Sequence, residues 1–394
     1  MNSHFDLAVL GGGVVGLSIA AQCAKRNWRV CLVERGEIGK ESSWAGAGIL
    51  PAGATHRADD PIEQLRQLSD QLHEQWSRWL FELTKIDNEY RRSGGLYVAR
   101  SPAERATLKA NCYWWDELGI GYQRLSKDRV SRLSPVLFPL WGDSQEAQFY
   151  WVQRDAKLRN TRHLAALKVA CEILNVKLLD HTEVIGFHTK GSEIQGLDCG
   201  ATLSNQLQSR LVADRYCIAT GAWTAPLLGS LGIETGIYPV RGQMQLYRFE
   251  QAPFRFVLNE GHRYMVPRED GHVLVGSCEE EVGFVKATTQ EMMQQLNQWA
   301  IGVCPAIAEA ELEMQWSGLR PGSIDGFPYL GTLHPYKNGF IAAGHFRHGL
   351  HWSTATGLLM AQHMAGESAS IDLEPFRIQR GNVPSHTARA VDSS

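Results

Sequence analysis

The sequence predicts an α/β chain, α+β overall. One lobe is a Rossmann-like layer of parallel strands and helices, interrupted by a second lobe of antiparallel sheet. Three observations predict this. Residues 5–34 read as strand, glycine turn, helix and strand. A second buried strand ending at glycine, Tyr216–Gly221, and a late strand and helix, Phe340–Ala343 and Ser353–Met364, repeat that grammar far downstream. The sequence between, above all 238–276, alternates in the manner of half-buried strands. A chain of 394 residues is long for a single core. The expected division is a discontinuous nucleotide-binding lobe (1–85, 151–225 and 320–378), a substrate lobe (86–150 and 226–319) and a flexible tail (379–394).

The opening stretch carries the most chemistry. Phe5–Leu10 is an apolar strand, and Gly11, Gly13 and Gly16 follow it with G-x-G-x-x-G spacing. Gly11 allows the tight turn, Gly13 lets backbone approach a pyrophosphate, and Gly16 lets the helix pack on the sheet. Val14 and Val15 open that helix, whose free amides and dipole suit phosphate. A second strand, Arg29–Val33, ends at Glu34, eighteen positions after Gly16, where a ribose-binding carboxylate belongs. An acid there disfavours a 2′-phosphate, and it leaves NAD and FAD both open.

In order after Glu34, the small-residue stretch Glu41–Leu50 reads either as a packed helix start or as backbone that approaches a flat ring. Asp59-Asp60-Pro61 marks a helix entry, and Ile62–Leu83 carries a core stripe of Leu65, Leu68, Leu72, Trp76, Trp79 and Leu80. Ser93–Ala99 is a turn and strand, Pro102–Leu118 a helix, and Pro135–Tyr150 a loop rich in Pro, Gly and aromatics. Asn160–Leu174 is helical, Val176–Leu179 a strand, and 184–196 a small hairpin. Gln290–Ile301 is a helix. Gly318–Gly322, Asp325-Gly326, the strand Phe340–Ala343 and Gly344–Gly349 follow in that order before the final helix.

Composition narrows the function. Hydrophobic content of 44% and charged content of 21% are ordinary for a globular protein, and a net charge of −3 gives no electrostatic case for nucleic acid. Cys23, Cys31, Cys112, Cys171, Cys199, Cys217, Cys278 and Cys304 form no C-x-x-C pair, so neither a zinc ribbon nor a redox dithiol is expected, and no metal site. No apolar run reaches the roughly eighteen residues of a membrane span. The first strand begins within five residues of Met1, which leaves no room for a signal peptide, so a cytoplasmic location is expected.

Seven separated segments together resemble the D-amino-acid oxidase superfamily of flavoproteins, in its glycine oxidase branch, almost end to end. They are the N-terminal fingerprint, Ser42–Leu50, Ala219–Trp223, Pro239–Gln243, Tyr264–Pro267, Gly318–Gly322 and Gly344–Gly349. The resemblance implies FAD on a Rossmann-like lobe of glutathione reductase type. By position it implies that Gly11, Gly13, Val14, Val15, Gly16, Glu34 and Arg35 hold the ADP half. Ser42, Ser43, Ala45, Gly46 and Gly48 would lie along pyrophosphate and flavin, and Val184 at adenine. Thr220, Gly221 and Trp223 belong to the second strand end. His345, Arg347, His348, Gly349 and Leu350 would present backbone to the flavin. It also implies that Arg320 clamps the substrate carboxylate with help from Tyr264, and that Arg347 adds charge or closes over the substrate.

A guanidinium pairs bidentately with a carboxylate in a way lysine does not reproduce. The competing reading has Arg320 paired with a structural acid such as Asp325. His345 and His348 are expected to pack rather than to act as bases. Arg320–Leu333 holds no cysteine, so FAD should be non-covalent. Gly46, His351 and Trp352 depart from the family pattern and leave the substrate open among glycine, sarcosine and small D-amino acids.

The expected reaction is hydride transfer from the substrate carbon to flavin N5. An imine and then an oxo acid result, and O2 is reduced to H2O2. A D-amino-acid dehydrogenase feeding a quinone, a tRNA-modifying oxidase domain and a non-catalytic flavoprotein subunit are the alternatives. Assembly is left open, a homo-oligomer included.

Overall fold

A computed structural model describes residues 4–140, 146–202 and 207–380. Its first sheet runs in the order Tyr329–Thr332, Gly339–Ala343, Leu207–Ile218, His4–Leu10, Val30–Val33, Lys177–Leu179. All neighbours are parallel except the first pair. Val9 pairs with Leu32 on one side and Cys217 on the other. Buried on both faces, these strands read as continuous apolar runs. The hairpin Thr182–Lys190 and Glu193–Ala201 extends from Leu207–Ile218.

One face of this sheet is covered by the helices Val14–Ala24, Pro61–Thr84, Asn160–Ile173 and Gly349–Ala365, which share a core with Leu7, Val9 and Leu32. The Asp60 side chain accepts from the Glu63 amide at 3.0 Å and Pro61 takes the first helical position, as the helix-entry motif predicts. The last helix begins at Gly349, four residues before the sequence reading. Its first turn carries His351 and Trp352, both buried, so the apolar period that marks a helix is masked there.

The second sheet runs in the order Glu311–Ser323, Ile237–Arg248, His272–Gly276, Arg263–Pro267, Val257–Glu260, Gly95–Ala99, Gln148–Val152, Tyr122–Leu125. It is antiparallel apart from one pair, Val257–Glu260 with Gly95–Ala99. Its outer face packs Leu96, Phe149, Leu258, Met265 and Val275 against the helix Gln290–Val303. Across its inner face a single transverse row follows from the register: Tyr97, Asn259, Tyr264, Gly276, Met244, Trp316. Lateral neighbours in a sheet point the same way, so this row forms a wall.

One expectation is corrected. The segment 135–150 is not all loop: Pro135–Leu140 is a 3-10 turn and Gln148–Val152 is a strand. Its Phe149 and Val152 are buried by pairing with Gly95–Ala99 some fifty residues away. Local proline and glycine content cannot show that pairing. The tail 379–394 lies almost wholly outside the described residues.

Candidate active site

A cavity of about 680 Å3 separates the inner wall of the second sheet from the strand ends of the first. Glu34 and Val184 line it on the side of the first sheet, and Tyr97, Asn259 and Tyr264 line it from the inner row of the second, which set its two ends.

At the first end, Gly11 holds φ +107°, and a Cβ there would run into the Ala219 carbonyl. Only glycine meets both demands. Gly16 does not line the cavity. A Cβ on it would strike the Gly11 carbonyl, so its job is the close approach of helix to strand. The Glu34 carboxylate accepts from the Gly12 amide at 2.7 Å and the Gly36 amide at 2.9 Å. Each oxygen keeps a lone pair for a hydroxyl. The Val14 amide at the helix start donates to Ser43 Oγ at 3.0 Å. Arg35 lies over the Trp223 ring at 3.9 Å, and Val15, Thr220 and Gly221 complete this end.

The middle of the cavity is walled by Ser42, Ser43, Ala45, Gly46 and Gly48. Ser42 donates to the Leu319 carbonyl, and the Trp316 indole donates to the Ala45 carbonyl at 3.1 Å. These bonds tie the wall to the second sheet. A Cβ on Gly318 would press on that of Ala45, so the sheet glycine lets the two lobes meet. Gly48 holds φ +78° against the Leu158 carbonyl.

Opposite stand His345, Arg347, His348, Gly349 and Leu350, at the N-terminus of the helix Gly349–Ala365. The positive dipole end of that helix lies at the cavity wall, where Gly349 and Leu350 line it. His345 Nε2 meets Thr356 Oγ1 at 3.1 Å, and the His348 ring stacks on Trp352 with centroids 4.5 Å apart. Burial pulls both histidines down to about 3, so they are neutral packing groups at neutral pH.

At the far end Arg320 donates from Nη1 to the Cys278 carbonyl at 2.9 Å and from Nη2 to Ser277 Oγ at 2.7 Å. Its guanidinium lies on the bare α-carbon of Gly242, where any Cβ would collide with it. No carboxylate among the described residues pairs with Arg320. Asp325 is engaged by Arg380 instead, at 2.6 and 2.7 Å, which removes the structural pairing raised from the sequence. A cavity-lining guanidinium held by two neutral acceptors is a ready carboxylate receptor.

Tyr264 O–H donates only to Met244 Sδ, at 3.3 Å, a weak acceptor that a carboxylate would displace. Arg347 is engaged already: Nη1 pairs with Glu279 at 2.8 Å and Nη2 donates to the His262 carbonyl at 3.3 Å. The sequence reading missed Tyr97, Gly242, Met244 and Asn259, which reach the cavity only through cross-strand register. For Tyr97 the signal that could have found it is strand alternation, since it stands between the core residues Leu96 and Val98; Gly242, Met244 and Asn259 have polar or charged neighbours that hide the alternation.

The cavity suits a flavin dinucleotide. A glycine turn, a helix N-terminus and a carboxylate with spare lone pairs stand at one end, and flat small-residue walls stand in the middle. Among the described residues no cluster of three or more metal-binding side chains exists, and all eight cysteines are buried free thiols.

The family model described as FAD dependent oxidoreductase matches residues 6–363. A glycine oxidase of Pseudomonas aeruginosa is 33% identical over 373 residues, covering 94% of this chain and 97% of that protein. Glycine oxidase of Geobacillus kaustophilus is 30% identical over 385 residues, covering 96% and 98%. The crystal structure of glycine oxidase from Geobacillus kaustophilus superposes with a TM-score of 0.88 at 29% identity, covering 96% of this chain and 99% of that one. An iminodiacetate oxidase structure from Chelativorans, at 22% identity and TM-score 0.81, shares the fold.

Proposed function

This chain belongs to the FAD-dependent oxidoreductase family, and from that premise we propose that it oxidises glycine, with sarcosine and small D-amino acids as the neighbouring candidates. The observation that carries the proposal is Arg320: a guanidinium lining the cavity without an acid partner, beside a tyrosine hydroxyl bonded only to sulfur. When bound, FAD accepts a hydride from the substrate carbon and passes two electrons to O2. In sum, amino acid, O2 and water give oxo acid, ammonia and H2O2.

Arg320 and Tyr264 take the carboxylate, which fixes where the α-carbon lies. Met244 and Gly276 keep that end of the wall apolar and close. Rings that ionise only near pH 3, as at His345 and His348, are too weakly basic to take the amine proton. The amine therefore reacts in its neutral form, its own lone pair driving hydride departure. The helix start at Gly349 aims its dipole at the negative charge that develops across the cavity.

Glu34 and the amides of the Gly11–Gly16 turn are assigned to the ADP half. The division into a discontinuous nucleotide lobe and a substrate lobe is proposed as the sequence has it, with the substrate lobe carried on to Val152 and Ser323, because the strands Gln148–Val152 and Glu311–Ser323 lie in the second sheet. Eight buried free thiols support a reducing compartment, the cytoplasm.

The test is stoichiometry. FAD-loaded protein given glycine in air should form H2O2, ammonia and glyoxylate in equal amounts. No peroxide from glycine, sarcosine or any small D-amino acid would remove the proposal.

A further inference from the structure

Arg268 follows directly on the strand Arg263–Pro267 and is 5% exposed. Its Nη2 donates to the Ala47 carbonyl at 2.7 Å and its Nη1 to the Leu158 carbonyl at 2.7 Å, with Asn160 Oδ1 at 3.4 Å. Among the described residues no carboxylate pairs with it. Asp270 is taken by Arg159 and His272, and Glu89 by Arg159 and Arg162. Burial draws its pKa down to about 10, which still leaves it a cation at neutral pH. A buried cation held by carbonyls alone, with Glu89 and Asp270 acting on it only at longer range, is costly, and a fold that keeps one has a use for the charge.

The carbonyls it holds show where that use lies. Ala47 and Gly48 line the middle of the cavity, and Arg268 stands directly behind them. A Cβ on Gly48 would lie 3.6 Å from its Nη1. Asn160 completes the brace, donating to the Trp44 carbonyl at 2.6 Å and the Ser43 carbonyl at 3.0 Å. The wall is thus held from behind by one amide and one guanidinium, and only the guanidinium carries charge. Lys157, a second buried cation, is turned to the Arg255 and Pro267 carbonyls instead.

We propose that Arg268 is a positioning and electrostatic residue for FAD: it fixes the Ala47–Gly48 wall and supplies, through it, the counter-charge for the negative charge FAD gains on two-electron reduction. The proposal rests on the FAD-dependent reading above. A fixed charge one backbone layer away in a water-poor site acts with little screening and needs no reorganisation when the cofactor is reduced.

The test is the midpoint potential of bound FAD, read by equilibration with a reference dye, in the wild type, Arg268→Gln, Arg268→Lys and Asn160→Ala. Arg268→Gln keeps a donor for one carbonyl and loses the charge. It should lower the reduced-to-oxidised ratio about tenfold at a given dye potential, about 30 mV for a two-electron couple. Arg268→Lys and Asn160→Ala keep the charge and should stay within about twofold of wild type while releasing FAD faster. The proposal is overturned if Arg268→Gln has the wild-type potential, or if all three variants shift alike. Should Arg268→Gln not fold, Arg268→Lys decides: a wild-type potential supports the proposal and a tenfold shift overturns it. A wild type that takes up no FAD overturns the underlying reading, an outcome distinct from the others.

Discussion

Acid should unfold this protein through its buried histidines. His73 Nε2 donates to the His351 carbonyl at 2.7 Å, Asn88 donates to His163 Nδ1 at 3.0 Å, and His345 meets Thr356. All are buried, and burial draws His73 down to about 4 and His163 and His345 to about 3, with His351 lowered as well. A histidine whose folded pKa lies below its unfolded value, about 6.5, takes its proton first in the unfolded chain. Its stabilising contribution is therefore full above about pH 6.5 and is lost as pH falls towards 3 to 4. At pH 5 the deficit is about 1.5 pH units at about 1.36 kcal/mol each, or roughly 2 kcal/mol per ring. His73, His163 and His345 together reach on the order of 6 kcal/mol, comparable with a domain's whole stability of about 5–15 kcal/mol. Urea unfolding followed by tryptophan fluorescence at pH 7.5 and pH 5.0 measures this. The midpoint should fall steeply, and in His163→Gln the fall should shrink by about 2 kcal/mol. Equal midpoints at the two pH values, or an unchanged fall in the variant, would refute the reasoning.

Other perturbations probe the site and the second sheet. Arg320→Lys loses the fork that grips a carboxylate and should raise KM for glycine about a hundredfold, with bound flavin unchanged in amount. A change under threefold contradicts the clamp. Gly11→Ala forces a side chain onto φ +107° and against the Ala219 carbonyl, so flavin content after purification should fall to near zero; full content would contradict the close approach. Glu280 is held at about 2 by the Arg241 guanidinium, which it meets at 2.9 and 3.1 Å. That pair's contribution is full above about pH 4.5 and lost as pH falls towards 2. Glu280→Gln should therefore cost on the order of 3 kcal/mol at pH 7 and flatten the acid limb below pH 4.5 in the same unfolding assay.

How far the sequence could be read depended on whether a residue's partner was local. The fingerprint, Glu34 and the helix entry at Asp60 were legible because turn, cap and strand end depend on neighbours within a few positions. Arg320 and Tyr264 were legible as motif residues, but their surroundings were not. That Gly242 clears room for the guanidinium follows from the pairing of Ile237–Arg248 with Glu311–Ser323, seventy residues apart. Tyr97, Asn259 and Met244 join Tyr264 only by register across four other pairings, and Gln148–Val152 becomes a strand only through its partner. Arg268 gave no sequence signal either, because its meaning lies in the carbonyls it reaches at Ala47 and Leu158 and in the lack, among the described residues, of a carboxylate in contact with it.

The central claim is that the cavity holds FAD with glycine's carboxylate on Arg320. Its most direct test is the visible spectrum of the FAD-loaded protein as glycine is added without oxygen. The account predicts that the oxidised flavin bands bleach with glycine and return when air is admitted, and that Arg320→Met keeps the bands while losing the bleaching. Bands that persist in the wild type at every glycine concentration would contradict it.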